Sequence, residues 1–126
     1  MRSLGILAGL LGLALVLTAC AGDGGEKTNG GGATKGGAIS MSATDFKFDP
    51  ATINAKVGQE VTVNVKNNGA VLHDFMSADL KVPSTLVDVG KTTAVKFTPT
   101  AAGTFKFVCS QPGHEASGMH GTVTVS

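Results

Sequence analysis

The residues with the clearest capacity for chemistry lie in the segment Cys109-Ser-Gln-Pro-Gly-His114-Glu-Ala-Ser-Gly-Met119. It places a thiol, an imidazole and a thioether at two equal spacings, Cys-x4-His and His-x4-Met. A second histidine, His73, lies upstream, directly after Val71-Leu72. Two imidazoles, one thiolate and a weak axial thioether form the donor set of a blue-copper electron-transfer site. We therefore interpret these four residues as candidate ligands of one copper ion that cycles between Cu(I) and Cu(II).

Each of these residues also has an ordinary structural interpretation on its own. A single cysteine is often a small buried hydrophobe, a methionine often fills a core, and lone histidines are commonly satisfied polar groups. The copper interpretation depends on the joint pattern. A thiolate selects copper or zinc, and two imidazoles with a thioether favour copper. Because His73 is distant in sequence, the fold must bring it to the loop.

The elements that would position these residues are strands. Apolar and polar residues alternate over Glu60–Lys66, and shorter runs over 39–43, 94–97, 104–109 and 122–125 follow the same rule. Such period-two patterning predicts half-buried strands, and Gly and Pro mark the turns between them. We predict that His73 ends or follows a strand near Val71-Leu72. About seven to eight short strands without a long helix favour an all-β, antiparallel Greek-key β-sandwich.

The N-terminal segment has the layout of an export signal. Arg2 precedes an apolar run from Leu4 to Leu17, which is short for a membrane-spanning helix. Residues 1–19 are therefore interpreted as a signal peptide. Leu17-Thr18-Ala19-Cys20 resembles a bacterial lipobox, which implies cleavage before Cys20 and a lipid on its sulfur. Ordinary secretory cleavage remains the alternative, because Ala19-Cys20-Ala21 also fits a small-x-small site.

The rest of the chain divides into a tether and a folded domain. Residues 21–38 contain eight glycines and nothing that could build a core, so residues 20–38 are interpreted as a lipidated cysteine followed by a flexible tether. Residues 39–126 form one small domain. Ten Lys plus Arg against nine Asp plus Glu give a net charge of +1, which offers no basic surface for nucleic acid.

The folded part resembles the cupredoxin family, and within it the auracyanin-like and plastocyanin-like electron carriers. The resemblance rests on the loop and covers residues 39–126. The Cys-x4-His gap is closer to auracyanins, because plastocyanins have a shorter one. The resemblance implies a cupredoxin-like sandwich and the ligands His73, Cys109, His114 and Met119. His120 and Glu115 each follow a candidate ligand and are not assigned as ligands.

One neighbour of the candidate site departs from the family pattern. Many cupredoxins have Asn directly after the first ligand histidine, where it pairs with the residue after the cysteine. Here these positions are Asp74 and Ser110. Asp74 could accept a hydrogen bond from the Ser110 hydroxyl, and its charge would favour Cu(II) and lower the reduction potential. A solvated surface carboxylate is the alternative.

The function implied is that of a one-electron carrier rather than an enzyme. The resemblance implies an apolar patch around the edge of His114, for which the candidates are Leu72, Pro112, Gly113 and Ala116. Transient redox partners at a membrane would dock there. We expect an exported monomer, lipid-anchored at the outer face of the cell membrane or in the periplasm. A copper-binding or copper-delivery module is the alternative, whereas a copper oxidase would need a second centre and more histidines.

Overall fold

The computed structural model describes residues 37–126, which form nine strands and, within that range, no helix. The predicted signal peptide, Cys20 and most of the tether lie outside the described residues. Within 37–126, no helix is long and apolar enough to cross a membrane. The strands are β1 (Ile39–Thr44), β2 (Lys47–Asp49), β3 (Thr52–Ala55), β4 (Val61–Asn67), β5 (His73–Ser77), β6 (Val82–Val87), β7 (Thr92–Phe97), β8 (Gly103–Val108) and β9 (His120–Val125).

The strands form two sheets that pack as a sandwich. One sheet has the order β2-β1-β4-β7 and the other β3-β9-β8-β5-β6. β1 pairs with β4 and β3 with β9 in parallel, and the remaining pairs are antiparallel. The predicted all-β sandwich is confirmed. It has nine strands because the short strands β2 and β3 add one edge to each sheet. The parallel pairs β1–β4 and β3–β9 make both sheets mixed.

Alternation along most of the strands builds the core between the sheets. In β4, Val61, Val63 and Val65 are fully buried, while the residues between them face outward. β-Branched side chains suit this half-buried, pleated environment. The prediction of a strand over 60–66 is therefore confirmed within one residue at each end.

Stacked phenylalanines connect the core to the candidate site. Phe75 and Phe107 are fully buried, and their rings stack at 4.8 Å between centroids with 18° between planes. Phe75 follows His73 by two residues and Phe107 precedes Cys109 by two, so each shares a sheet face with a candidate ligand. Both ligands consequently point into the sandwich at the end of its core.

The position of His73 differs from the prediction. It begins β5, and Val71-Leu72 lie in the turn before that strand with both side chains exposed. The prediction that His73 ends or follows a strand at Val71-Leu72 is wrong. Asn67 explains the difference, because its buried amide donates to the carbonyls of Val71 and Val87, each at 2.8 Å, and holds residues 67–72 as a turn.

Candidate metal centre

Three candidate ligands from two parts of the chain meet at one end of the sandwich. His73 begins β5, Cys109 directly follows β8, and His114 lies in the loop before β9. The Nδ1 atoms of His73 and His114 are 3.3 Å apart, and the Cys109 Sγ lies 3.3 Å from His114 Nδ1 and 3.9 Å from His73 Nδ1. All three donor atoms lie within 4.8 Å of one another. Such spacing suits a single shared ion.

The loop carrying Cys109 and His114 is closed by backbone hydrogen bonds. The N–H of Cys109 donates to the Met119 carbonyl at 3.0 Å, and the N–H of Met119 donates to the His114 carbonyl at 3.1 Å. Gly113 and Gly118 have φ of 80° and 104°, a region that glycine adopts without strain. Met119 itself is fully buried. The loop therefore ties the candidate thioether ligand to both other loop ligands through the backbone.

Asp74 connects the first histidine to this loop. Its Oδ1 accepts from the Ser110 N–H at 2.5 Å, and its Oδ2 accepts from the hydroxyls of Ser110 and Ser84. The backbone N–H of Asp74 donates to the Cys109 Sγ at 3.4 Å. Because Asp74 is fully buried, it is not a solvated surface carboxylate. It fastens β5, β6 and the loop to one another beside the thiol.

Burial and hydrogen bonding determine the protonation of Asp74 and Cys109. Burial opposes ionisation of Asp74, but the bonds from the Ser110 and Ser84 hydroxyls and the Ser110 N–H outweigh it and hold its pKa below the usual value. Burial raises the pKa of the Cys109 thiol, and the nearby Asp74 charge raises it further. A metal that binds Cys109 must therefore displace a proton.

Two residues that the sequence reasoning missed contact the histidines. Asp45 and Phe46 form the turn between β1 and β2 of the opposite sheet. Asp45 Oδ1 lies 2.9 Å from His73 Nε2, and the Phe46 ring meets the His114 ring edge-on at 4.7 Å. The N–H of Ala70, followed by the interactions with His73, holds the Asp45 pKa below its usual value although partial burial opposes this. No regular sequence spacing relates Asp45 to His73, so the sequence alone could not have predicted this contact.

The two residues that were not assigned as ligands have other surroundings. Glu115 is exposed and forms an ion pair with Lys106. His120 is exposed at the start of β9, whereas Met119 beside it is fully buried. Residues 37–126 contain one group of three His, Cys, Asp or Glu side chains whose donor atoms lie close enough together to share a metal ion, and it consists of His73, Cys109 and His114.

The donor set fits a type 1 copper. His73 uses Nε2 toward Asp45, which leaves Nδ1 to face the Cys109 thiol and the Nδ1 of His114. Two imidazole nitrogens, a buried thiol and a buried thioether match the soft set that selects copper.

Comparison with known proteins identifies the family. The model of the family described as "Cupredoxin-like domain" matches residues 7–125. The chain belongs to the cupredoxin family. The predicted resemblance is thereby confirmed, and with it a cofactor of one copper ion, which the described His–Cys–His–Met site of this cupredoxin is suited to hold.

Individual relatives of this cupredoxin span most of its length. Auracyanin A of Chloroflexus aurantiacus is 28% identical over 143 aligned positions, covering 86% of this chain and 88% of that protein. The copper-resistant cuproprotein CopI of Rubrivivax gelatinosus is 33% identical over 106 positions, covering 69% of this chain and 64% of that protein. The reduced auracyanin of Roseiflexus castenholzii shares the fold, with a TM-score of 0.64 at 24% identity over 75% of this chain and 99% of that chain.

Proposed function

We propose that this cupredoxin is a one-electron carrier between membrane-associated redox partners. The observation that carries the proposal is the convergence of His73, Cys109 and His114 donor atoms within 4.8 Å, with both His73 and Cys109 fully buried. The copper ion supplies the redox chemistry by alternating between Cu(I) and Cu(II). The protein supplies a fixed set of donors and excludes water from most of them.

Rigidity of the donors supports electron transfer over other copper chemistry. His73 is held by Asp45, and the stretch after Cys109 by Asp74. Met119 is tied through its backbone to Cys109 and His114. Because these contacts depend on strands and buried hydrogen bonds, the donors have little freedom to rearrange when the charge of the centre changes. Low reorganisation suits repeated one-electron transfer.

The contact surface for a partner is proposed at His114, which is the partly exposed member of the four ligands. Phe46, Val71 and Leu72 expose 39%, 41% and 36% of their surfaces. The sequence-predicted patch residues Leu72, Pro112, Gly113 and Ala116 are all exposed. None of these residues is charged, so a small apolar contact with fast dissociation would suit a redox protein that must turn over.

The proposed location is outside the cytoplasm. The predicted signal peptide (1–19) would direct export and be removed before Cys20. The lipid on Cys20 and the glycine-rich tether (20–38) would then hold the domain, which we expect to be a monomer, at the outer face of the cell membrane or in the periplasm. A tether of that length would let the His114 surface reach partners in the same membrane. Mass spectrometry of the mature protein from membranes tests this, and a mature N-terminus elsewhere than Cys20, without lipid, would contradict it.

A copper-binding or copper-delivery role is the second candidate. The name of the CopI relative, a copper-resistant cuproprotein, favours it. Delivery requires that copper leave readily, whereas a carrier must retain it in both oxidation states. A copper oxidase is less well supported, because within residues 37–126 the remaining histidine, His120, lies in no cluster that could hold a second metal.

Copper retention during redox cycling separates the two candidates. We expect the loaded protein to pass through many cycles of chemical reduction and oxidation with its copper retained, in the presence of a chelator specific for Cu(I). Loss of most of the copper to the chelator within the first reduction would support delivery and contradict the carrier. The fraction of copper in each species is measured after gel filtration.

A further inference from the structure

Asp45 occupies the side of His73 that faces away from the other ligands. Its Oδ1 lies 2.9 Å from Nε2 of the imidazole, while Nδ1 of the same ring faces the His114 and Cys109 donors. His73 is fully buried, whereas the Asp45 side chain is 31% exposed. The two ring nitrogens of His73 thus face different surroundings: Nε2 faces Asp45, and Nδ1 faces the other candidate ligands.

The local backbone is built to hold Asp45 in this place. The N–H of Ala70 donates to both carboxylate oxygens, at 2.9 and 3.2 Å. Gly69 passes so close to the pair that a Cβ at that position would lie 2.7 Å from His73 Nε2 and would also overlap Asp45 Oδ1. Any side chain at position 69 would therefore push the carboxylate and the imidazole apart.

An incidental surface ion pair would lack these features. Exposed ion pairs contribute little to stability. They also do not need a neighbouring residue that lacks a side chain. Here one partner is completely buried, the other has a second fixed donor, and the intervening residue is the one type that allows the approach. A carboxylate that accepts the second N–H of a metal-binding histidine sets its tautomer and raises its basicity.

We propose that Asp45 is a positioning residue that sets the His73 tautomer and tunes the copper centre across the two sheets. The inference rests on the proposed copper site. With Nε2–H donated to Asp45, Nδ1 keeps its lone pair for the metal without a tautomer change. The negative charge behind the ring strengthens this donor more toward Cu(II) than toward Cu(I), because the doubly charged ion interacts more strongly with it.

The test uses three variants of the full protein. Asp45→Ala removes the acceptor and the charge, and Asp45→Asn keeps an acceptor oxygen without the charge. Gly69→Ala retains the Asp45 side chain but separates its carboxylate from the ring. Asp49→Asn is the matched control, because Asp49 is an exposed carboxylate of the same β1–β2 hairpin. Thermal unfolding of each metal-free variant establishes that it is folded.

The first readout needs no copper. Long-range ¹H–¹⁵N spectra of the metal-free wild-type protein report which His73 nitrogen carries the proton. We expect the Nε2–H tautomer in the wild type, Asp49→Asn and Asp45→Asn, and a mixture of tautomers in Asp45→Ala and Gly69→Ala. A wild-type His73 protonated at Nδ1 alone, or an unchanged Nε2–H tautomer in folded Asp45→Ala, would overturn the proposal.

The second readout is metal affinity. Loss of an outer hydrogen-bond partner typically weakens metal binding by about 10- to 100-fold. We expect Cu(II) affinity to fall by that factor in Asp45→Ala, with a smaller fall for Cu(I), so the midpoint potential rises by about 59 mV for each tenfold difference between the two. Equal affinities in Asp45→Ala and wild type would also overturn the proposal. Failure of the wild type to bind copper would contradict the proposed function. The tautomer spectra would still test whether Asp45 sets the His73 tautomer.

Discussion

Replacement of Asp74 by Asn separates the charge of this residue from its hydrogen bonds. The carboxylate is fully buried and accepts from the Ser110 N–H and from the hydroxyls of Ser110 and Ser84. An Asn carbonyl can keep the bond from the Ser110 N–H, and its NH₂ can donate to a serine hydroxyl, which is both donor and acceptor. Because the shape is preserved, the variant changes mainly one unit of charge.

The size of the effect follows from the proximity of Asp74 to the thiol. Its N–H lies 3.4 Å from the Cys109 Sγ, and its carboxylate binds the residue after Cys109. Two unit charges about 6 Å apart at an effective dielectric constant of about 20 interact by about 3 kcal/mol. For a one-electron couple, where 59 mV corresponds to a factor of ten, that is on the order of 100 mV. Because the ionised carboxylate favours Cu(II), its removal raises the potential.

The assay is a spectroelectrochemical titration of the visible band in wild type and Asp74→Asn at one ionic strength. Glu60→Gln serves as a control. Glu60 is an exposed carboxylate directly before β4, and Asn67 lies at the other end of that strand. We expect a rise of about 100 mV in Asp74→Asn and a change of at most about 10 mV in the control, since exposed distant charges are screened. An unchanged or lowered potential in a folded, copper-loaded Asp74→Asn protein would refute the assignment of a charged Asp74.

Three further expectations concern the core, the contact surface and the metal. Phe107→Ala should lower the free energy of unfolding by about 3–5 kcal/mol, measured by urea titration, because it removes a buried ring stacked on Phe75; a loss below about 1 kcal/mol would contradict the packing. Phe46→Ala should slow electron self-exchange about tenfold, measured by NMR line broadening, by truncating the exposed ring beside His114; an unchanged rate would place the contact elsewhere. Copper at a free concentration 100 times its dissociation constant should stabilise the fold by about 2.7 kcal/mol, measured as a raised Tm, and an unchanged Tm would contradict binding to the native state.

The strands and the loop ligands were predictable because they depend on short-range patterns. Alternation over Glu60–Lys66 follows directly from the side-chain period of a strand, and β4 occupies Val61–Asn67. Cys109 and His114 are separated by one short loop, so their proximity needs only that loop. The partner of His73 was harder to foresee because it depends on which strands meet.

Contacts between different strands cannot be predicted from such short-range patterns. Asp45 and His73 are 28 residues apart and meet because the β1–β2 turn of one sheet reaches over the start of β5 in the other. Ser84 reaches Asp74 because β6 pairs with β5. Neither residue type is unusual for a turn or an edge strand. The parallel pairings of β1 with β4 and β3 with β9 likewise depend on strand order rather than on any local run of residues.

The central claim is a copper centre held by a thiolate in a closed, preformed site, and the visible and EPR spectra of the Cu(II)-loaded protein test it most directly. We expect an intense charge-transfer band from the Cys109 thiolate, which disappears in Cys109→Ser and persists in His120→Ala, since His120 is exposed and outside the donor cluster. Colourless Cu(II) binding by the wild type, or a band that survives in Cys109→Ser, would contradict the account.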